Sequence, residues 1–210
     1  MIEHLQRDTE VRPWREPGPL VPRRGNAITR WVARTLLRIW GWEVTGTLPN
    51  LSKFVIIAAP HTSGWDFPVG VLAKASVGLR ISFLGKASLF KPPLGWIMRW
   101  QGGKPVDRSS AHGMVAETVR IIGESDHFIL ALAPEGTRRR VAEWKTGFYR
   151  VALGARIPVV LGSIDFAKRV VDFGPTIWPS GDIEADMALI QRYYGSFKGK
   201  NPELFGIKAG

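Results

Sequence analysis

A chain of 210 residues with 45% apolar and 22% charged side chains is long enough for one substantial core and too apolar to be disordered. It has no cysteine, which excludes disulfides, thiolate metal sites and a cysteine nucleophile. Its 29 Lys and Arg against 18 Asp and Glu leave a net charge of +11, which favours polyanionic partners: nucleic acid, anionic headgroups, acidic carrier proteins or phosphorylated substrates.

Residues 1–25 hold Pro13, Pro17, Pro19 and Pro22 beside Arg23 and Arg24. They read as an irregular basic arm, without the apolar centre of a secretory signal. Residues 26–41 predict an amphipathic helix. Ile28, Trp31, Val32, Leu36, Ile39 and Trp40 recur at helical spacing, while Arg30, Arg34 and Arg38 line another side. Tryptophans beside arginines suit an interfacial helix lying in a lipid headgroup layer; packing against the protein's own core is the alternative. No run approaches the roughly 18–20 apolar residues that span a bilayer. The expected location is cytoplasmic, peripheral on the cytoplasmic face of the membrane.

Residues 42–210 read as one domain in which strands and helices alternate. Strands are expected over 53–59, 81–85, 104–106, 127–133 and 157–162, and a hairpin-like region over 163–173. Helices are expected over 65–77, 93–101, 109–123 (with Ser109 or Ser110 as N-cap), 148–155 and 182–197. The fold class predicted is α/β: a mostly parallel mixed central sheet flanked by helices, preceded by the amphipathic helix. Ligands of such sheets bind beyond the carboxyl ends of strands.

Two motifs fall at strand ends. The first, Pro60-His61-Thr62-Ser63-Gly64-Trp65-Asp66, follows the 53–59 run. Imidazole takes and returns a proton near neutrality, and a carboxylate five positions on can hold its tautomer. Alone, the spacing is weak evidence and better fits a surface histidine and a helix-capping aspartate. Ser63 lacks the Gly-x-Ser-x-Gly elbow of a serine nucleophile and is read as structural. The second, Ala133-Pro134-Glu135-Gly136-Thr137-Arg138, follows the 127–133 run. Gly136 permits a tight turn, and the Arg138 guanidinium can hold a phosphate or carboxylate with two donors. Arg139 and Arg140 add charge or are simply solvated. Gly103-Lys104-Pro105-Val106-Asp107-Arg108 is a further candidate where a short strand meets a helix, with Arg108 beside the positive end of that helix. His4, His112 and His127 have no carboxylate arrangement to recommend them. No cluster has metal-ligand spacing.

In this order the motifs resemble the glycerolipid acyltransferases typified by 1-acylglycerol-3-phosphate acyltransferase. His61 and Asp66 match that family's His-x4-Asp block. Lys86, Pro93, Gly95 and Val106-Asp107-Arg108 resemble its second block, Pro134 to Arg138 its Pro-Glu-Gly-Thr-Arg block, and Pro158 the proline of its fourth; Lys145 and Gly147 also sit as the family has them. The resemblance runs from about residue 46 to 162. Pro60 stands where the family has Asn, Ala133 where it has Phe, and the second proline of the fourth block is missing, which leaves the acceptor open.

The resemblance implies acyl transfer from a thioester to a lipid hydroxyl, with His61 as base and Asp66 orienting it. Arg108 and Arg138, assisted by Lys104, would hold the acceptor's phosphate. Glu135, Gly136 and Thr137 would form the substrate-binding turn, Glu135 ordering it or binding an acceptor hydroxyl. It implies no cofactor or metal, only acyl-CoA or acyl carrier protein as co-substrate. The partners implied are a lipid acceptor, that donor and a membrane surface, not nucleic acid. A lipid esterase using the same His-Asp pair, or a non-catalytic basic module binding membranes or nucleic acid, are the competing readings.

Overall fold

The apolar run Lys53–Ala59 forms β2, the strand around which the molecule is organised. Val55, Ile57 and Ala59 point to one face and Phe54 and Ile56 to the other, and all five are buried. A strand buried on both faces belongs inside a parallel sheet covered by helices, which is what a near-continuous apolar run requires. The computed structural model describes residues 16–106 and 111–206.

The other strands are β1 (Glu43–Gly46), β3 (Ile81–Lys86), β4 (Gly103–Val106), β5 (Phe128–Leu132), β6 (Val159–Asp165) and β7 (Val170–Ile177). They form one sheet in the order β1-β7-β6-β2-β5-β3-β4. Every pairing is parallel except the β6–β7 hairpin. The helices are α1 (Ala27–Ile39), α2 (Asp66–Ser76), α3 (Leu94–Trp100), α4 (Ala111–Glu124), α5 (Gly147–Ala155) and α6 (Ile183–Tyr194). The predicted α/β class, with a mostly parallel mixed sheet and a preceding amphipathic helix, is the observed one.

The connections decide where a site can form. From β2 the chain runs through α2 to β3, on the far side of β5; from β5 it runs through α5 to β6, on the far side of β2. Val69 and Ala73 of α2 pack with Ile164 and Val171 on one face of the sheet. Phe148, Tyr149, Val151 and Ala152 of α5 pack on the other, with Ile122 of α4 and Ile190 and Tyr194 of α6. Adjacent strands whose following helices leave to opposite faces open a crevice at their carboxyl ends. That crevice lies between β2 and β5, the two strands that carry the motifs.

Two details depart from expectation. The hairpin-like region is a true hairpin: β6 runs on to Asp165, whose Oδ1 accepts the backbone N–H groups of Ala167 and Lys168 and so shapes the turn. The short edge strand β1, not anticipated, pairs only with β7. The stretch 16–25 has no helix or extended strand, yet Val21 is buried in the core and Arg23 makes an isolated bridge to Leu79.

α1 begins with a reciprocal cap in which Asn26 Oδ1 accepts the Thr29 N–H and Thr29 Oγ1 accepts the Asn26 N–H, both at 2.9 Å. It turns the small residue Ala33 and Leu37 inward against the body of the protein. Arg34 Nε donates to the Ser76 carbonyl at the end of α2, at 2.8 Å, fastening the two helices. The larger apolar stripe faces out: Ile28 is 70% exposed, Trp31 67% and Ile39 74%. α3 also differs from a core helix. Gly95 is its one buried residue, while Leu94, Trp96, Ile97 and Trp100 are exposed.

Candidate active site

Beyond β2 the chain turns through Pro60–Trp65 into α2, and that turn brings the expected pair together. His61 Nδ1 stands 3.0 Å from Asp66 Oδ2. Asp66 opens α2, where the exposed N–H groups of the first turn favour a carboxylate, and it is 4% exposed. The same Oδ2 accepts the Ser63 N–H at 3.0 Å. A carboxylate only accepts, so the imidazole proton resides on Nδ1 and the lone pair is left on Nε2. Ser63 is structural here too: its Oγ accepts the Trp65 N–H at 3.2 Å, tightening the turn.

The second motif closes on the first. Glu135, buried at 3% exposure, projects from the turn after β5, and its Oε1 accepts the backbone N–H of His61 at 2.8 Å. Burial holds the Glu135 carboxyl above the usual range; the His61 N–H bond and the imidazole oppose that rise, and Asp66 adds to it. Asp66 Oδ1, Glu135 Oε2 and Ser163 Oγ are buried polar atoms with no hydrogen-bond partner among the described residues. Ser163 pairs in register with Ala59, just before the histidine turn.

Gly136 has φ +66°, a left-handed conformation that glycine adopts without strain, and a Cβ there would meet Lys145 Cδ at 2.9 Å. The turn is pinned by the Lys145 N–H donating to the Pro134 carbonyl at 2.8 Å. Thr137 Oγ1 accepts the Arg139 N–H at 3.3 Å. Arg138 is exposed and reaches back over the histidine turn: Nη1 lies 3.2 Å from the point where a Cβ on Gly64 would stand. Neither the Arg138 guanidinium nor the Lys145 ammonium has an anionic partner among the described residues. Lys200 adds a third cation, its Nζ 4.7 Å from the Trp65 ring centre. Trp65 also meets Trp40, at the end of α1, edge to face at 6.1 Å.

The predicted residues therefore divide. His61, Asp66, Glu135, Gly136 and Arg138 converge at the β2–β5 crevice, with Thr137 on the same turn. Lys104 does not join them: it is exposed on β4, which β5 and β3 separate from β2, about 14 Å away at the usual strand spacing. Asp107, Arg108, Ser109 and Ser110 lie outside the described residues, as do residues 1–15 with His4. Among the described residues no group of three His, Asp or Glu could hold a metal ion. Sequence reasoning missed the Glu135–His61 link, and it did not place Lys200 near the site at all. Both depend on long-range contacts that local spacing does not encode.

The arrangement supplies an imidazole held by a buried carboxylate, a second buried carboxylate fixing that histidine's main chain, and cations beside the crevice. A solved structure with the same fold is the crystal structure of the 1-acyl-sn-glycerophosphate (LPA) acyltransferase, PlsC, from Thermotoga maritima. It superposes with a TM-score of 0.56 at 17% identity, over 82% of this chain and 80% of that one. No curated protein sequence gives a significant match. The model of the Acyltransferase family matches residues 42–164, from just before β1 to the penultimate residue of β6, and so contains both motifs. Matched over more than half its length, with the histidine and Glu135 turns of that region meeting at one crevice, the chain belongs to the acyltransferase family.

Proposed function

We propose that the chain moves a fatty acyl group from an acyl thioester to a hydroxyl of a lysophospholipid or related phosphate-bearing glycerolipid. The observation that carries this reading is the 3.0 Å approach of His61 Nδ1 to Asp66 Oδ2, which leaves Nε2 as the basic atom at the crevice. Nε2 takes the acceptor's hydroxyl proton as its oxygen attacks the thioester carbonyl carbon. The tetrahedral oxyanion collapses, the carbon–sulfur bond breaks, and the imidazolium returns the proton to the leaving thiolate. The products are an ester and a free thiol, with no covalent acyl-enzyme. Asp66 holds the tautomer and stabilises the imidazolium as it forms.

Arg138 holds the acceptor phosphate beside the base, with Lys145 across the Gly136 turn and Arg108 assisting; Lys104, on the edge strand, takes no part. The phosphate-bearing substrate named for the Thermotoga maritima protein supports this class of acceptor. The donor is acyl-CoA or acyl carrier protein. The outward stripe of α1 supports a membrane-surface site of action, since three of its apolar side chains are at least two-thirds exposed with arginines at their flanks. Among the described residues no helix is long and apolar enough to cross a membrane.

The test is incubation of purified protein with labelled acyl thioesters and a lysolipid panel, with products read by mass spectrometry. Thioester-dependent diacyl product, lost in His61→Ala, is expected. Fatty-acid release from phospholipid without transfer would replace this reading with an esterase.

A further inference from the structure

The histidine turn is held from a second side by a part of the chain that lies outside the family-matched residues. After α6 the chain passes back over the sheet's carboxyl edge, anchored at both ends. Before the passage, the buried Tyr194 hydroxyl lies 2.8 Å from the Gly162 carbonyl and 3.2 Å from that of Ile57. After it, Trp144 Nε1 donates to the Gly206 carbonyl at 2.9 Å. Between these anchors, residues 198–201 form a strap against the catalytic turn. The Phe166 N–H donates to the Lys198 carbonyl at 2.9 Å, tying the strap to the β6–β7 turn. Gly199 lies so close to the histidine turn that a Cβ would stand 2.4 Å from Thr62 Oγ1 and 3.1 Å from Pro60 Cβ. Asn201 then makes two bonds to one residue. Its backbone N–H donates to Thr62 Oγ1 at 3.2 Å, and its side-chain Nδ2 donates to the Thr62 carbonyl at 2.9 Å.

Thr62 is 2% exposed and follows the base directly. The main chain around His61 is thus gripped at two points: its own N–H by Glu135 Oε1, and the carbonyl of the next residue by Asn201 Nδ2. With both fixed, the freedom left to the imidazole is rotation of its side chain, and the bond to Asp66 removes that. A loop held only by its own Ser63–Asp66 bonds could rock about Pro60 as a unit, carrying base and carboxylate together away from the acceptor. An error of about 1 Å at a reacting atom can cost about 10²-fold in rate.

We propose that Asn201 is a positioning residue for the reaction, setting the place of His61 through the Thr62 carbonyl, and that the strap over residues 198–201 completes the active site. Asn201 acts on the base through the turn, by way of its two bonds to Thr62. The inference rests on His61 being the base.

The experiment compares Asn201→Ala and Asn201→Asp with the unaltered protein and His61→Ala. Asn201→Asp keeps the side chain's size and removes the donor, so it reads the same effect where alanine alters the local packing. Both Asn201 variants should lower kcat by about 10- to 100-fold. KM for thioester and acceptor should stay within about twofold. A readout independent of turnover is the downfield proton resonance of His61 Nδ1, absent in His61→Ala, which should shift or broaden in both Asn201 variants. Unchanged kcat with an unmoved His61 resonance in Asn201→Asp would overturn the proposal. A fully active His61→Ala would instead overturn the base assignment.

Discussion

Glu135 Oε1 accepts the backbone N–H of His61 at 2.8 Å, although 74 residues separate the two in sequence. The bond joins the carboxyl ends of β2 and β5 at the crevice between them, and it makes the two motifs one structure. It also changes how the charged group in the Gly136 turn is understood: this carboxylate faces inward, to the main chain of His61.

Glu135→Ala should leave the partly buried His61 N–H without its acceptor, at a cost of about 1 kcal/mol in folding free energy. Glu135→Gln keeps an acceptor oxygen and removes the charge. Because burial raises the folded-state pKa of Glu135, the folded protein holds that proton more tightly than the unfolded chain does. Its contribution to stability is therefore present below the unfolded value of about 4.5 and declines as pH rises through the folded one. Melting temperatures measured across that range should show Glu135→Gln gaining on the unaltered protein as pH increases; a constant difference would contradict the shift.

His61→Ala and Asp66→Asn should each reduce transfer by about 10²- to 10⁴-fold while circular dichroism stays native. In Asp66→Asn the amide can donate to Nδ1, which would place the proton on Nε2 and remove the base. Full turnover in either variant would refute the catalytic pair.

Arg138→Ala should raise the KM for a phosphate-bearing acceptor by roughly tenfold or more, the loss of one charge-assisted contact. The KM for the thioester should be little affected. An acceptor lacking phosphate should be insensitive to the change, and equal sensitivity of both acceptors would argue against an anion clamp.

Trp31→Ser combined with Ile39→Ser should weaken sedimentation with anionic vesicles. Both side chains are more than two-thirds exposed, so the melting temperature should change little, within the range of about 0.5 kcal/mol typical of surface substitutions. Unaltered vesicle binding would mean that this helix face meets something other than lipid.

Much of this architecture was legible because its physics is local. The Val-Ile-Ile run of β2 and the strand-ending turns with glycine declare themselves in sequence, and α2, α5 and α6 begin within a residue or two of their expected starts. The apolar stripe of α1 was legible too, but not which way it faced; only the burial of Ala33 and Leu37 shows that the small side is the inner one. β1 escaped because a four-residue edge strand has too little pattern to distinguish it from a loop. The family resemblance drew Lys104 into the expected site, but strand order, which the sequence does not state, puts β4 at the sheet's edge. Asn201 carries no signal at all, since an asparagine beside a proline reads as a turn.

The fastening of Arg34 to the last carbonyl of α2 has a consequence at the other end of that helix. Asp66 is its first residue, and helices packed together lie about 8–10 Å apart. A lipid surface that received the outer face of α1 would set the altitude of the carboxylate, and of His61 with it, at a constant height above the hydrocarbon. Were the acceptor a glycerolipid, its hydroxyl would stand near that height, and it would not need to leave its leaflet to be acylated. Encounter would then be a search in two dimensions, and successive turnovers would follow from lateral diffusion beneath a stationary site.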